Sequence, residues 1–272
     1  MKIYDQHLHT EISPDSEAPL FDYCERALAL GLAGFTVTDH CDVDGWDGKP
    51  YDMRRAEGYR DVLAAREKYP SLFIGFGAEL GQEYLAPDFA REIYTEENLD
   101  FIIGSAHALG ATYGGDIYAK DFYWIKHDSE AHCSEILDRY VETLISHCEN
   151  SKFDVLGHLT YPLRYMRRDG FAATLSNHRD GVAAAFNALI RRGKGIEINS
   201  SGVKPPLGEP MPGLEWVKLF RDLGGEIITL GSDAHRVGDM AQNFDVAAEV
   251  AKAAGFTHYA LYKNRVPEFV AL

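Results

Sequence analysis

The stretch Leu-Phe-Ile-Gly-Phe-Gly-Ala-Glu-Leu-Gly at residues 72–81 decides how the chain is read. Its only charged residue is Glu79, near the end of an otherwise apolar run. A strand with one solvated face alternates apolar and polar side chains, whereas a run this continuous belongs to a strand covered on both faces, as in a parallel sheet. A carboxylate at the end of such a strand needs a compensating charge, which makes Glu79 the first candidate functional residue.

Similar runs lie on either side, at 2–9, 34–40, 100–107, 153–159, 195–200 and 226–232. Between them, segments 21–32, 56–69, 131–149, 180–192, 214–223 and 240–254 space their apolar residues at the helical period. Gly31, Gly193, Gly224 and Gly255 stand where helices should stop, and Pro70 ends the second one. Seven strands alternating with helices predict repeated βα units and a parallel sheet. At 272 residues that sheet is expected to be a closed or nearly closed βα barrel. An open doubly wound sheet is the competing arrangement, and no GxGxxG or P-loop stretch supports its nucleotide-binding form. Residues 108–132 predict an excursion over one barrel face and 201–212 a loop; residues 1–272 read as a single domain.

Composition narrows the partners. Lys and Arg total 27 against 42 Asp and Glu, a formal charge of −15, which argues against binding long nucleic acid or an anionic membrane surface. No run approaches the roughly eighteen apolar residues of a membrane span, and the start MKIYDQHLHT lacks a signal-peptide core. Cys24, Cys41, Cys133 and Cys148 show no CxxC spacing and read as structural thiols of a reduced, cytoplasmic protein.

The eleven histidines are unevenly placed. His7 and His9 end the first expected strand two residues apart and so share a face. His40, His107 and His158 end the second, fourth and fifth, and Asp233 and His235 follow the seventh. In a parallel barrel these ends converge on the rim where active sites are built. One histidine so placed is normally a packed core residue; six together with carboxylates point to bound metal. Asp15, in the loop SPDS, reads on its own as a turn residue or a helix cap. Asp39 and Asp42 flank His40 as supporting or solvated groups. Cys41 is a potential zinc ligand, but the surrounding carboxylates favour a mixed nitrogen and oxygen site. His127, His132, His147, His178 and His258 read as packing or surface residues.

In order along the chain stand DQHLHT (5–10), TDH (38–40), GAELG (77–81), GSAH (104–107), LGHL (156–159), EINSSG (197–202) and GSDAH (231–235). Taken together these motifs resemble the PHP family, the polymerase and histidinol-phosphatase group, over essentially the whole chain. The resemblance implies a distorted (β/α)7 barrel holding three divalent metal ions, with zinc, manganese and iron all compatible. It places His7, His9, Glu79 and Asp233 around the first ion, and Glu79, His107 and His158 at the second. Asp15, His40 and His235 take the third; some relatives have histidine where Asp15 stands. It further implies phosphate contacts from Arg164 and from Lys204, where an arginine is more usual, and catalytic roles for Arg164, Asp15 and His235. The motifs are most similar to the branch of stand-alone histidinol-phosphate phosphatases. That implies hydrolysis of a small phosphate monoester, L-histidinol phosphate, in histidine biosynthesis. The alternatives are a phosphoesterase acting on nucleotides or short oligonucleotides and a non-catalytic metal-binding module. A metal-dependent amidohydrolase is disfavoured by the lack of a bridging lysine. Oligomeric state is not legible in these residues.

Overall fold

A computed structural model describes residues 2–42, 53–109 and 121–272. Seven strands stand side by side in chain order: β1 (Tyr4–Asp5), β2 (Gly34–Val37), β3 (Phe73–Gly81), β4 (Phe101–Ser105), β5 (Val155–Leu156), β6 (Gly195–Asn199) and β7 (Ile228–Gly231). Each adjacent pair is parallel. The seventh strand returns to the first through backbone hydrogen bonds, Gln6 N–H to Leu230 at 3.1 Å, Asp233 N–H to His7 at 2.7 Å and His9 N–H to Ala234 at 2.9 Å. Asp5 adds a side-chain tie, accepting from the Ser232 and Ala241 amides at 2.9 Å each. The result is a nearly closed, distorted (β/α)7 barrel, as expected.

Around it lie α1 (Leu20–Leu30), α2 (Arg55–Lys68), α3 (Pro87–Tyr94), α4 (Glu130–Asn150), α5 (Tyr161–Arg168), α6 (Arg179–Arg191), α7 (Leu214–Asp222) and α8 (Phe244–Ala253). The inner faces do what the periodicity predicts: α1 buries Tyr23, Cys24 and Ala27 and stops at Gly31, whose φ of 69° suits a residue without a Cβ. Strand and helix side chains share one continuous core that includes Phe35, Phe76, Ile102, Leu156, Ile198 and Leu230. Close approach decides one glycine: a Cβ on Gly104 would overlap the Phe153 ring. The four cysteines are buried free thiols, as expected of structural ones.

The structure departs from expectation in four places. Helices α3 and α5 were not predicted. At eight residues each, starting with proline in the first turn, they are too short to display a full amphipathic period. Second, β8 (His258–Lys263) and β9 (Val266–Ala271) form an antiparallel hairpin, turned by Asn264 and Arg265 at φ 49° and 64°. It covers the end of the barrel where the strands begin: Asn264 N–H donates to Asp100 at 3.0 Å, Arg265 binds Asp154, and Tyr262 stacks on Phe101 at 4.9 Å. Third, regular pairing stops short of the rim. Single bridges, Leu8 to Ala234 and His40 to Glu79, carry the barrel on there, so His7, His9 and His40 lie outside the ladders while Glu79 stays within the pairing of β3 with β4. The helix expected from 240 begins at Phe244, because Ala241 and Asn243 are left-handed at φ 53° and 59°. Of the expected excursion 108–132, residues 110–120 lie outside the described set. Among the described residues no helix is long and apolar enough to cross a membrane.

Candidate metal centre

With one end covered by the hairpin, the strands' C-terminal ends gather the side chains singled out above. Glu79, 1% exposed at the end of β3, lies at the middle. Its Oε2 is 3.4 Å from both His7 Nε2 and His9 Nε2 and 3.1 Å from His40 Nδ1. Its Oε1 is 2.7 Å from His158 Nε2 and 3.0 Å from His107 Nε2. Asp233 Oδ1 faces His7 and His9 at 3.5 and 3.3 Å. To one side, Asp15 Oδ2 is 2.8 Å from His235 Nε2 and 3.6 Å from His40 Nε2. All nine residues named from the sequence as metal ligands therefore meet in one cluster. Asp233 holds φ at 53°, a left-handed conformation that a non-glycine residue adopts at a cost and that recurs at functional sites.

Hydrogen bonds behind the cluster fix which imidazole nitrogen carries the proton. His7 Nδ1 lies 2.6 Å from Glu197 Oε1 and His107 Nδ1 lies 3.2 Å from Asp42 Oδ2; a carboxylate accepts, so both nitrogens donate. His235 Nδ1 donates to the Asp233 carbonyl at 3.0 Å. Ser13 gives its hydroxyl proton to Asp39 at 2.9 Å, so His9 Nδ1, 3.1 Å away, donates to Ser13. When neutral, each of these rings presents an Nε2 lone pair to the interior. Two such lone pairs, on His7 and His9, face each other at 3.1 Å, and the Nε2 atoms of His107 and His158 lie 3.3 Å apart. Glu79 Oε2 and Asp15 Oδ1 are buried with no hydrogen-bond partner. Converging lone pairs and unsatisfied carboxylate oxygens are relieved together by cations, and the nitrogen and oxygen donors suit a divalent one. Four triads of donors lie within 4.8 Å: His7, His9 and Asp233; His7, Glu79 and His158; His9, His40 and His235; and His40, Asp42 and His107.

Electrostatics follow from the same packing. Burial opposes charge on His7, but the Glu197, Glu79 and Asp233 carboxylates outweigh it and hold the imidazole well above its ordinary value. Burial is likewise outweighed at His40 by Glu79 and Asp15 and at His107 by Glu79 and Asp42, and both rise. His9 goes the other way, to about 3, through burial and the neighbouring His235 and His40. Burial would lift Glu79, yet His107, His7 and His40 keep it well below the usual carboxylate range. Without metal the cluster is a set of shared protons, which cations must displace.

Above the cluster a cavity of about 120 Å³ has three further wall residues, Tyr161, Arg164 and Tyr165, all from α5. The Tyr161 hydroxyl donates to Asp121 at 3.0 Å and receives the Tyr165 hydroxyl at 2.9 Å, which fixes both rings. Arg164 donates to the Ser201 hydroxyl and overlooks the carboxylates and imidazoles. Lys204 is 2.8 Å from Asp239 and does not line the cavity. A wider groove of about 770 Å³ opens beside Asp15 and His235, with Glu17 and Arg236 on its walls.

Sequence reasoning missed Glu197, which orients His7 and also accepts the His158 N–H at 3.0 Å. The signal was present: it is a carboxylate in a buried strand, the same anomaly that exposed Glu79. Asp39 supports the cluster by accepting from the Thr10 amide at 2.6 Å and from Ser13. The remaining histidines have other surroundings: His127 pairs with Asp169, His147 with Ser151, His178 with Asp138 and His132 with Asp128, while His258 is exposed.

The family model described as PHP domain matches residues 5–201, well over half of the chain. The chain belongs to the PHP domain family. The PHP domain match stops before Asp233 and His235, which barrel closure delivers to His9. The chain is 27% identical over 257 residues to a protein of Thermotoga maritima named probable histidinol-phosphatase, covering 94% of each. It is 26% identical over 267 residues to the histidinol-phosphatase of Lactococcus lactis subsp. lactis, covering 97% of this chain and 96% of that one. A crystal structure of the histidinol phosphate phosphatase from Lactococcus lactis, described as complexed with zinc, L-histidinol and phosphate, superposes with a TM-score of 0.82 at 24% identity. The match covers 98% of this chain and 99% of the other.

Proposed function

We propose that this PHP domain, acting as one unit over residues 1–272, is a metal-dependent phosphatase whose substrate is L-histidinol phosphate, released as L-histidinol and inorganic phosphate in the cytoplasm. The observation that carries the reading is the cluster of nine nitrogen- and oxygen-bearing residues centred on Glu79, seven of which line one cavity with the Arg164 guanidinium. The names of the two relatives and the ligands of the similar crystal structure support the substrate.

Three ions, of zinc, manganese or iron, are assigned to the donors: the first to His7, His9, Glu79 and Asp233, the second to Glu79, His107 and His158, and the third to Asp15, His40 and His235. Bound divalent cations supply charge neutralisation of the phosphoryl group and lower the pKa of coordinated water toward ~7. The chain's own residues do the rest. Glu197, Asp42, Ser13 and the Asp233 carbonyl hold four imidazoles in the tautomer that faces inward. Arg164 exchanges the Ser201 hydroxyl for two phosphoryl oxygens, which its planar fork fits. Asp15 and His235 line both the cavity and the wider groove, so the alcohol leaves past them. Asp15 and His235 would act there by holding the third ion beside the leaving oxygen, where it would offset the charge that develops as the ester bond breaks. Lys204 contributes only by releasing Asp239. The net charge of −15 complements the ammonium and imidazole of such a substrate.

The test is phosphate release by the manganese- or zinc-loaded protein from L-histidinol phosphate beside nucleoside monophosphates and bisphosphates. The expected kcat/KM for L-histidinol phosphate exceeds that for the nucleotides by on the order of 10²-fold. Turnover of nucleotides with none of L-histidinol phosphate overturns the substrate; a His7→Ala variant with full activity overturns the metal assignment.

A further inference from the structure

Away from the rim, a second cavity of about 360 Å³ lies on the barrel's flank between α3 and α4, within the size range of small-molecule sites. Glu83, in the turn Glu83–Leu85 that follows β3, is part of its lining and only 3% exposed. Tyr84, Ala90 and Tyr94 supply apolar wall on one side, and Ser146 and Lys152 edge it on the other. Among the described residues no side chain donates a hydrogen bond to either carboxylate oxygen of Glu83; the backbone amide of Lys152 faces it.

The donors nearby are engaged elsewhere. His147 Nδ1, 3.6 Å from Glu83, is paired with the Ser151 hydroxyl at 2.8 Å. Arg192 donates to the carbonyls of Cys148 and Ser151, and the Lys194 ammonium lies over the Phe153 ring at 5.2 Å. The Lys152 amide donates to the Tyr94 hydroxyl at 3.0 Å, and Arg91 is paired with Asp88. Tyr84 donates its hydroxyl to the Ala108 carbonyl at 2.6 Å, leaving its ring as wall. Burial pushes the Glu83 carboxyl up to about 8, against the pull of Lys194 and Arg192. A buried carboxylate with no side-chain donor, in a cavity of ligand size, is a site that lacks one component.

We propose that this cavity binds a small organic ammonium ion, its N–H groups donating to Glu83 and its apolar body resting on Tyr84, Ala90 and Tyr94. A bare metal ion fits poorly, because one carboxylate with apolar walls offers too few oxygen ligands. An anion is opposed by Glu83 itself. An ammonium supplies the missing donors and the opposite charge, and its hydrocarbon portion takes the place of water against the tyrosine rings. The inference does not depend on the phosphatase reading, since none of the nine metal-donor residues lines this cavity.

The experiment is titration calorimetry, at a pH just above 8 where the Glu83 carboxyl is ionised and the amine still charged, of the full, metal-loaded chain with 2-phenylethylamine and with its neutral counterpart 2-phenylethanol. The amine should saturate one site per chain with a Kd on the order of 1 mM or tighter, at least about tenfold tighter than the alcohol. Glu83→Gln, which keeps shape and removes charge, should cost at least about tenfold in amine affinity. Ser146→Trp, an exposed change at the cavity edge, should block the site, while both variants stay folded and keep the phosphate release of the parent chain. Equal binding of amine and alcohol, unchanged affinity in Glu83→Gln, or no saturable binding overturns the proposal. So does amine binding that inorganic phosphate displaces and neither variant alters, which places the amine in the metal cavity instead.

Discussion

Glu79 and Glu83 are four residues apart, on one strand and the turn that follows it, and both are at most 3% exposed. Burial lifts the carboxyl pKa of both. At Glu79 five imidazoles stand within 3.4 Å and reverse the effect, so the group stays ionised. At Glu83 the only imidazole nearby is engaged with Ser151, burial prevails, and the carboxyl rises to about 8. Burial alone therefore does not say whether a carboxylate is a ligand. The orientation of the donors around it does.

That contrast can be broken at several points. Glu79→Gln should lower phosphate release on the order of 10³-fold and reduce the metal content found by elemental analysis, with the fold retained. Full metal occupancy in that variant would remove Glu79 from the centre of the site. Glu197→Gln leaves every proposed ligand in place but loosens His7, and about 10–100-fold in metal affinity or activity should be lost. Arg164→Lys keeps the positive charge and loses the fork. KM should rise about tenfold with kcat little changed, which steady-state kinetics on the metal-loaded protein would show.

The smallest effect on activity, none, is expected of Glu83→Gln, whose consequence is in stability. The folded carboxyl titrates at about 8 and the unfolded one near 4.5, so between those values the folded state holds the extra proton. Parent stability should therefore fall relative to the variant as pH rises from 4.5 toward 8, and the difference should level off above 8. Denaturant unfolding of both proteins across that range measures it; a difference independent of pH would mean that Glu83 is ionised throughout.

Much of this was legible in the residues. The barrel was written in seven apolar runs, and the candidate cluster in histidines and carboxylates at strand ends, because strand termini and barrel closure leave few other places for those side chains to go. What was not legible depends on contacts between distant segments. Glu197 becomes a support for His7 only once β6 and β1 are neighbours of β7. The short helix α5 has too few turns to announce itself, yet it carries Arg164 to the cavity. Lys204 sits at the expected point of the chain and is turned aside by Asp239, a partner 35 residues away. The terminal hairpin lacks an Asn-Gly turn and instead places Asn264 and Arg265 at positive φ.

The closure of β7 onto β1 has a temporal consequence. Asp5 takes the amide of Ser232 from 227 positions along the chain, and the neighbouring residues of those two segments, His7, His9, Asp233 and His235, all belong to the cluster. During synthesis the first two imidazoles leave the ribosome long before the groups that would complete their proposed coordination shell. Such distant pairing is slow to form, and a bound ion then acts as a clasp on a ring whose two ends have just met. A nascent or clipped chain ending between β6 and β7 would forfeit its closure and its full grip on metal together, so metal retention would serve as a readout of completed assembly.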